Sequence, residues 1–226
     1  MTSNKITLAF GITAALLVAT SANAQFHLPS ALTGSTTASS TSGSGDAMVA
    51  QDALVKSFVG SQIEVLAAQS LLAQAYDLKD SAASIDAQQR ALQSGTVDTD
   101  TLKKTIDVSD KANDEITAKQ NEKTTLTTEE KGYYSQSLPH FAKGIIGTHE
   151  VIAQAAKFTS VAKSSMTGLS GLTSGLTKLK AGAYVVSATP SYSKSLFDVF
   201  RKTMSISQNN GVKAPSDATQ ALGSLD

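Results

Sequence analysis

The sequence predicts an all-α protein: an antiparallel bundle of five or six helices, carrying a polar helical hairpin and flanked by disordered termini. Three observations lead there. Aromatic residues are only 5% of the 226 positions and Trp is absent, while Ala, Ser, Thr, Leu and Lys dominate, which favours helices packed through small side chains over a β-sandwich. Apolar residues recur at spacings of three, four and seven, the period of one helical face. Capping and breaking signals fall at the ends of those runs.

The chain opens on a different kind of segment. Lys5 supplies a positive start, Ile6 to Val18 is mostly apolar, and Ala22-Asn23-Ala24 is a small-x-small cleavage site, the three parts of a bacterial Sec-type signal peptide. The apolar run falls short of the roughly 20 residues that span a bilayer, so residues 1–24 are expected to be cleaved and the protein delivered to the periplasm or secreted. The chain contains no cysteine. That removes lipoprotein acylation, thiol catalysis, thiolate metal sites and disulfides, so the exported product is expected to be free of a lipid anchor and stable by packing.

Residues 25–45 are rich in Ser, Thr and Gly and bury too little surface to offset their ordering entropy, so a disordered leader is expected there. The bundle is then expected over 46–211. Asp46 is a candidate cap for a first long helix over 46–78, with Leu54, Phe58, Val65 and Leu72 inward and Val55, Val59 and Leu66 beside them. Asp80 is a candidate cap for a shorter helix, 81–93, ending before Ser94-Gly95. A third, about 100–123, keeps only Leu102, Ile106, Ala112 and Ile116 as recurrent apolar positions, with Glu115 and Lys119 spaced to pair along its surface. These two helices, joined at Gly95, read as a mostly wet hairpin that covers the bundle or projects from it.

Thr127 and Glu130 match the capping-box spacing and start a further helix near Thr128. Pro139 is expected to break it, with a restart carrying Leu138, Ile145, Ile152 and Ala156 inward, Phe141 and Ile146 alongside, and an end near Ser164. From Thr167 to Ser187 the sequence shows a heptad seam of Leu169, Leu172, Leu176, Leu179, Ala183 and Val186, edged by Gly168, Gly175 and Gly182 every seven residues. Glycines in register imply close helix contact, since each costs a helix about 1 kcal/mol. Thr189-Pro190 reads as the cap and first position of a last helix carrying Tyr192, Leu196, Val199, Phe200 and Met204, closed by Asn209-Asn210-Gly211. Residues 212–226 read as a flexible tail.

Charge is balanced overall but unevenly placed. The stretch from Asp46 to Lys131 carries a net −6 and that from Ser137 to Met204 a net +6. Either the halves neutralise each other on folding or the basic half faces an anionic surface.

Chemistry has few places to reside. His27 falls in the leader, His140 in a first helical turn, and His149 on an inward stripe where a hydrogen-bonded core or boundary histidine is the ordinary role. No two histidines have the spacing that puts both on one helical face, and no Glu-x-x-His element is present. Asp98, Asp100, Asp107, Asp110 and Asp114 cluster without the calcium-loop pattern, so a solvated helix face is expected. The glycines between 168 and 182 match no phosphate or dinucleotide loop, and no serine lies in a nucleophile elbow. No catalytic residue, metal site or cofactor is therefore predicted, and the protein is read as a non-enzyme.

The function expected is that of an exported helical protein acting by protein–protein interaction, in an adaptor, chaperone-like or structural role in the cell envelope. Its partner is another protein or a second copy, not nucleic acid. Gly168, Leu169, Leu172, Gly175, Leu176, Leu179 and Gly182 are the candidate interaction residues. The alternative is a membrane-active or lipid-binding protein using the Gly/Leu segment 168–186 in peripheral contact with a bilayer. A weaker rival is a small-ligand carrier with a cavity lined by Phe141, Phe158 and Phe200.

Overall fold

The computed structural model describes residues 44–95, 97–165 and 178–225. Among them are six helices and no strand: α1 Ser44–Ala75, α2 Lys79–Gln93, α3 Thr99–Glu122, α4 Thr128–Ser165, α5 Lys180–Asn209 and α6 Ser216–Gly223. The segment expected as a signal peptide and nearly all of the expected leader lie outside the described residues. The all-α bundle expected from composition and periodicity is the fold.

The longest helix pair, α1 with α4, is antiparallel throughout. Tyr76 meets Tyr134, Val65 meets Gly144, and Ser61 meets Gly147 and Thr148, while Asp46 and Ala53 share a cleft with Ser164 and Lys157. Two glycines let the backbones touch. A Cβ at Gly144 would stand 2.6 Å from Val65 Cγ2 and 3.3 Å from the Val65 nitrogen, and one at Gly147 would stand 3.2 Å from Ser61 Cα. The Ser61 hydroxyl lies 2.9 Å from the Gly144 carbonyl, to which it donates. Close approach there offsets the cost of two glycines inside one helix.

Around this pair the other helices alternate in direction. α2 and α3 fold back on each other at Gly95, which adopts φ +94, and Gln88 of α2 reaches Thr105 of α3 at 2.8 Å. The hairpin covers the bundle rather than projecting: Ser70 on α1 donates to Asp86 at 2.7 Å, and Gln89 donates to the Ile63 carbonyl at 3.2 Å. α5 runs parallel to α3, with Asn113 against Ser195 and Gln120 against Thr203, and antiparallel to α4, with Phe141 and Phe200 ring centroids 5.8 Å apart. The core holds Leu54, Phe58, Val65, Leu66 and Leu72 of α1 with Tyr134, Leu138, Phe141 and Ile145 of α4 and Tyr192, Leu196 and Phe200 of α5. Phe141 and Phe200 fill that core and Phe158 packs on Gly182, so these rings form packed contacts rather than the wall of a ligand cavity.

Several boundaries differ from the sequence expectation. α2 starts at Lys79, so Asp80 lies in its first turn and does not cap it; α1 has ended at Ala75, before the expected 78, because Asp77 takes φ +55 and lets Leu78 N–H close on the Ala73 carbonyl at 2.8 Å. Neither proline breaks its helix: α4 runs through Pro139 and α5 through Pro190. At Pro139 the deprived carbonyl belongs to Ser135, which is exposed and open to water, while Tyr134, Leu138 and Phe141 are all buried and hold both sides of the proline to one core. At Pro190 the preceding Thr189, expected as a cap, is an internal helical residue whose hydroxyl donates to the Val185 carbonyl at 2.6 Å.

The inward face of α4 is Leu138, Phe141, Ile145, Thr148, Val151, Ala155 and Phe158, which leaves Ile152 and Ala156 on the outside. On α5 the expected seam is one residue out of phase: Ala183 is exposed and Val186 half-buried, whereas Gly182 and Val185 are buried. The segment after Val212 is not a structureless tail. It forms α6, which buries Ala218 and Ala221 and is tied to the bundle by Arg201, whose guanidinium donates to the Leu225 carbonyl at 2.5 Å. The capping box is present in both directions, Thr127 N–H to Glu130 at 2.7 Å and Glu130 N–H to Thr127 at 3.3 Å.

Close packing at Gly144 makes a directional prediction. Gly144→Ala, despite its better helix propensity, is expected to destabilise the protein by about 1–3 kcal/mol through overpacking against Val65. Gly60→Ala, on the exposed side of α1 with nothing within 4 Å, is expected to stabilise it by about 0.5–1 kcal/mol. Urea midpoints of the two variants, moving in opposite directions, are the check.

Candidate functional site

Of the seven candidate interaction residues, Gly168, Leu169, Leu172, Gly175 and Leu176 lie outside the described residues. Leu179 and Gly182 are buried. Gly182 is a packing position: a Cβ there would stand 2.8 Å from the Phe158 ring and 3.1 Å from Gln51 Cγ. Its N–H donates to Gln51 Oε1 at 3.0 Å, and the other end of the same amide donates to the Lys178 carbonyl at 3.0 Å. Gln51 thereby holds the start of α5 against α1.

That amide belongs to a series. α1 also turns Gln62 and Gln69 inward, seven residues apart and without solvent exposure, so both occupy one stripe of the helix. Gln69 Nε2 reaches Asn113 Oδ1 at 2.7 Å, and both the Ser109 hydroxyl, at 2.8 Å, and its carbonyl, at 3.0 Å. Asn113 continues to the Ser195 hydroxyl of α5 at 3.1 Å. Gln62 is buried without a hydrogen bond of standard geometry, as is the Tyr192 hydroxyl, whose phenol burial pushes up in pKa. Farther along, Tyr76 and Tyr134 share a 2.5 Å hydroxyl contact, and Gln120 of α3 donates to both Tyr134, at 3.2 Å, and Thr203 of α5, at 3.0 Å. Burial is the chief reason the Tyr134 phenol is held far above its ordinary pKa, so it stays a neutral hydrogen-bonding group. These side chains connect helix to helix.

The described histidines are engaged in contacts of the same kind. His140 Nδ1 lies 2.7 Å from Glu64 across the α1–α4 pair, and the bond to this imidazole is the first reason the Glu64 carboxyl sits below its usual pKa. His149 stacks on Phe197 with ring centroids 5.6 Å apart and meets the Ser224 hydroxyl at 3.2 Å; it is the boundary histidine the sequence suggests. Asp98 caps α3 by accepting from Thr101 N–H at 2.8 Å, and Asp100, Asp107 and Asp114 are exposed. Asp110 is different: burial, then the charges of Asp114 and Asp107, raise its pKa against the opposing bond from Ser195. No group of three His, Asp or Glu side chains among the described residues could hold a metal.

Two surface depressions stand out. One, about 490 Å³, lies between the first turns of α1 and the last turns of α4 and is lined by Asp46, Val49, Ala50, Lys157 and Val161 among others. A smaller apolar groove of about 290 Å³ runs between α4 and α5, lined by Ile152, Ala155, Val186, Thr189, Pro190 and Ser193. Sequence reasoning missed both, because each is made where two helices diverge rather than by a local motif. No protein-family model matches the chain, and neither a curated protein nor a solved structure matches it.

Tyr134→Phe removes the hydroxyl shared by Tyr76 and Gln120 and is expected to cost about 1–3 kcal/mol, measured by urea unfolding. At Asp110 the folded state holds its proton more tightly than the unfolded state. This group therefore lowers stability as pH rises from the ordinary carboxylate pKa through the raised one. Asp110→Asn is accordingly expected to raise the urea midpoint at about pH 7 and to lose that advantage near pH 3, where both states are protonated.

Proposed function

We propose that this chain is an exported, non-catalytic helical protein that acts by protein–protein contact, in an adaptor, chaperone-like or structural role in the cell envelope. The observation that carries the reading is the use made of the polar side chains. Gln69, Asn113, Gln120, Tyr134, His140 and His149 each make a hydrogen bond or ring contact to another part of the bundle. What is left for recognition is outer helical surface, and the apolar groove beside Ile152 supplies a place for a partner's side chain. Export rests on the signal-peptide pattern of residues 1–24.

Two measurements test the two parts. Amino-terminal sequencing of protein recovered from the cells and their medium is expected to read from Gln25 in the exported fraction, and a chain retained inside the cell with Met1 intact would contradict export. A photo-crosslinking residue at Ile152 is expected to give a discrete protein adduct in intact cells. Absence of any adduct at that position would contradict the contact reading.

A further inference from the structure

The two halves of the charge dipole do not neutralise each other by close pairing. Among the described residues the one ion pair that joins them is Glu64 with His140; the others lie within a helix or between neighbours in sequence. Several of the cations without an ion pair share one end, while others, such as Arg90, Lys104 and Lys143, lie elsewhere on the bundle. At that end α1 from 44 to 56, α4 from 153 to 165 and the stretch 178–187 that enters α5 bring together Lys56, Lys157, Lys163, Lys178 and Lys180 with Asp46 and Asp52, while on the α3 side Tyr184 meets Lys103 at 6.0 Å and the charges of Asp107 and Asp110. All five lysines are exposed, and among the described residues none has a carboxylate within ion-pair distance. Their backbones are fixed: Lys157 borders the α1–α4 cleft beside Val49, and Gln51 holds the Lys178 carbonyl and the Gly182 N–H against α1. Near the lysines two large apolar side chains protrude, Met48 43% and Val49 69% exposed, beside a cleft that also carries Asp46 and Ser160.

We propose that this end of the bundle docks on an anionic lipid surface. Lysines on long stems around protruding apolar side chains suit the headgroup boundary, where ammonium groups meet lipid phosphates and Met48 and Val49 enter the acyl edge. Contact would be peripheral, since no described helix is long and apolar enough to cross a membrane. Charge complementarity selects an anionic leaflet, and the exposed apolar pair selects a bilayer over a soluble polyanion.

The test uses the processed protein, its amino terminus established by sequencing, sedimented with phosphatidylglycerol/phosphatidylcholine vesicles and with phosphatidylcholine alone. Binding is expected to the anionic vesicles, to weaken with salt, and to fall about tenfold or more in Lys157→Glu/Lys163→Glu and again in Lys178→Glu/Lys180→Glu. Val49→Asp is expected to lower it several-fold, and Lys79→Glu/Lys104→Glu, on the hairpin, to leave it unchanged. Circular dichroism confirms that each variant is folded. Equal sedimentation with both vesicle types, or wild-type binding by either folded double-lysine variant, would overturn the proposal. So would loss of binding on lysine reversal with no effect of Val49→Asp and full competition by heparin, which assigns the patch to a soluble polyanion. The Ile152 crosslink is independent of all these outcomes.

Discussion

Three buried amides, Gln51, Gln69 and Gln120, donate through their nitrogens to partners on other segments, and the arrangement of this bundle depends on those bonds, although Gln62 and the carbonyl oxygens of Gln69 and Gln120 have none of standard geometry. α1 carries Gln51, Gln62 and Gln69 into the interior, where an amide without a partner costs about 1–3 kcal/mol. Gln51 is answered by the start of α5, and Gln69 by Ser109 and Asn113 of α3. Gln120 of α3 is answered by α4 and α5 through Tyr134 and Thr203. Sliding any of these helices by one turn would leave several amides unpaired together. A purely apolar interior of Leu and Ala would tolerate such slips far better, because hydrophobic contact is not directional.

The second constraint is steric and acts on one pair. Gly144 and Gly147 bring α4 onto Val65 and Ser61 so closely that a methyl group has no room at the first. With Tyr76 and Tyr134 joined at one end of the pair, α1 and α4 form a long two-helix spine on which α2, α3 and α5 settle. Because α2 packs only on the later part of α1, the first turns of α1 are left to α4 and α5. That thinner end is where Val49 and the unpaired lysines emerge, so the surface proposed for lipid contact is a consequence of unequal helix lengths.

The legible part of the sequence was the local part. Leu54, Phe58, Val65 and Leu72 mark the inward face of α1, and Thr127 with Glu130 marks the start of α4, because periodicity and capping are written within one helix. Thr105, Ser109, Asn113 and Gln120 were not legible as core. On α3 they fill the inward face between Leu102, Ile106, Ala112 and Ile116, and a reading that counts apolar residues takes such a helix for a wet one. Pro139 misled for a related reason: a local breaker loses to tertiary packing when the freed carbonyl can reach water and both flanks are buried, while Pro190, read as a helix start, sits inside a helix that begins ten residues earlier. On α5 the seam shifts by one residue because Gly182, not a larger residue, must face Phe158. Of the candidate interaction residues, Leu179 and Gly182 are buried in the packing, and the features proposed for docking, Val49, Ile152 and the dispersed lysines, are placed only by the fold.

The measurement that bears most directly on the central claim is a double-mutant cycle between Gln69 on α1 and Asn113 on α3, using Gln69→Leu, Asn113→Leu and the pair in urea unfolding. If matched amides set the register, the single variants each lose stability and the pair is coupled by about 1–3 kcal/mol. Additive losses, with no coupling between the two positions, would contradict it.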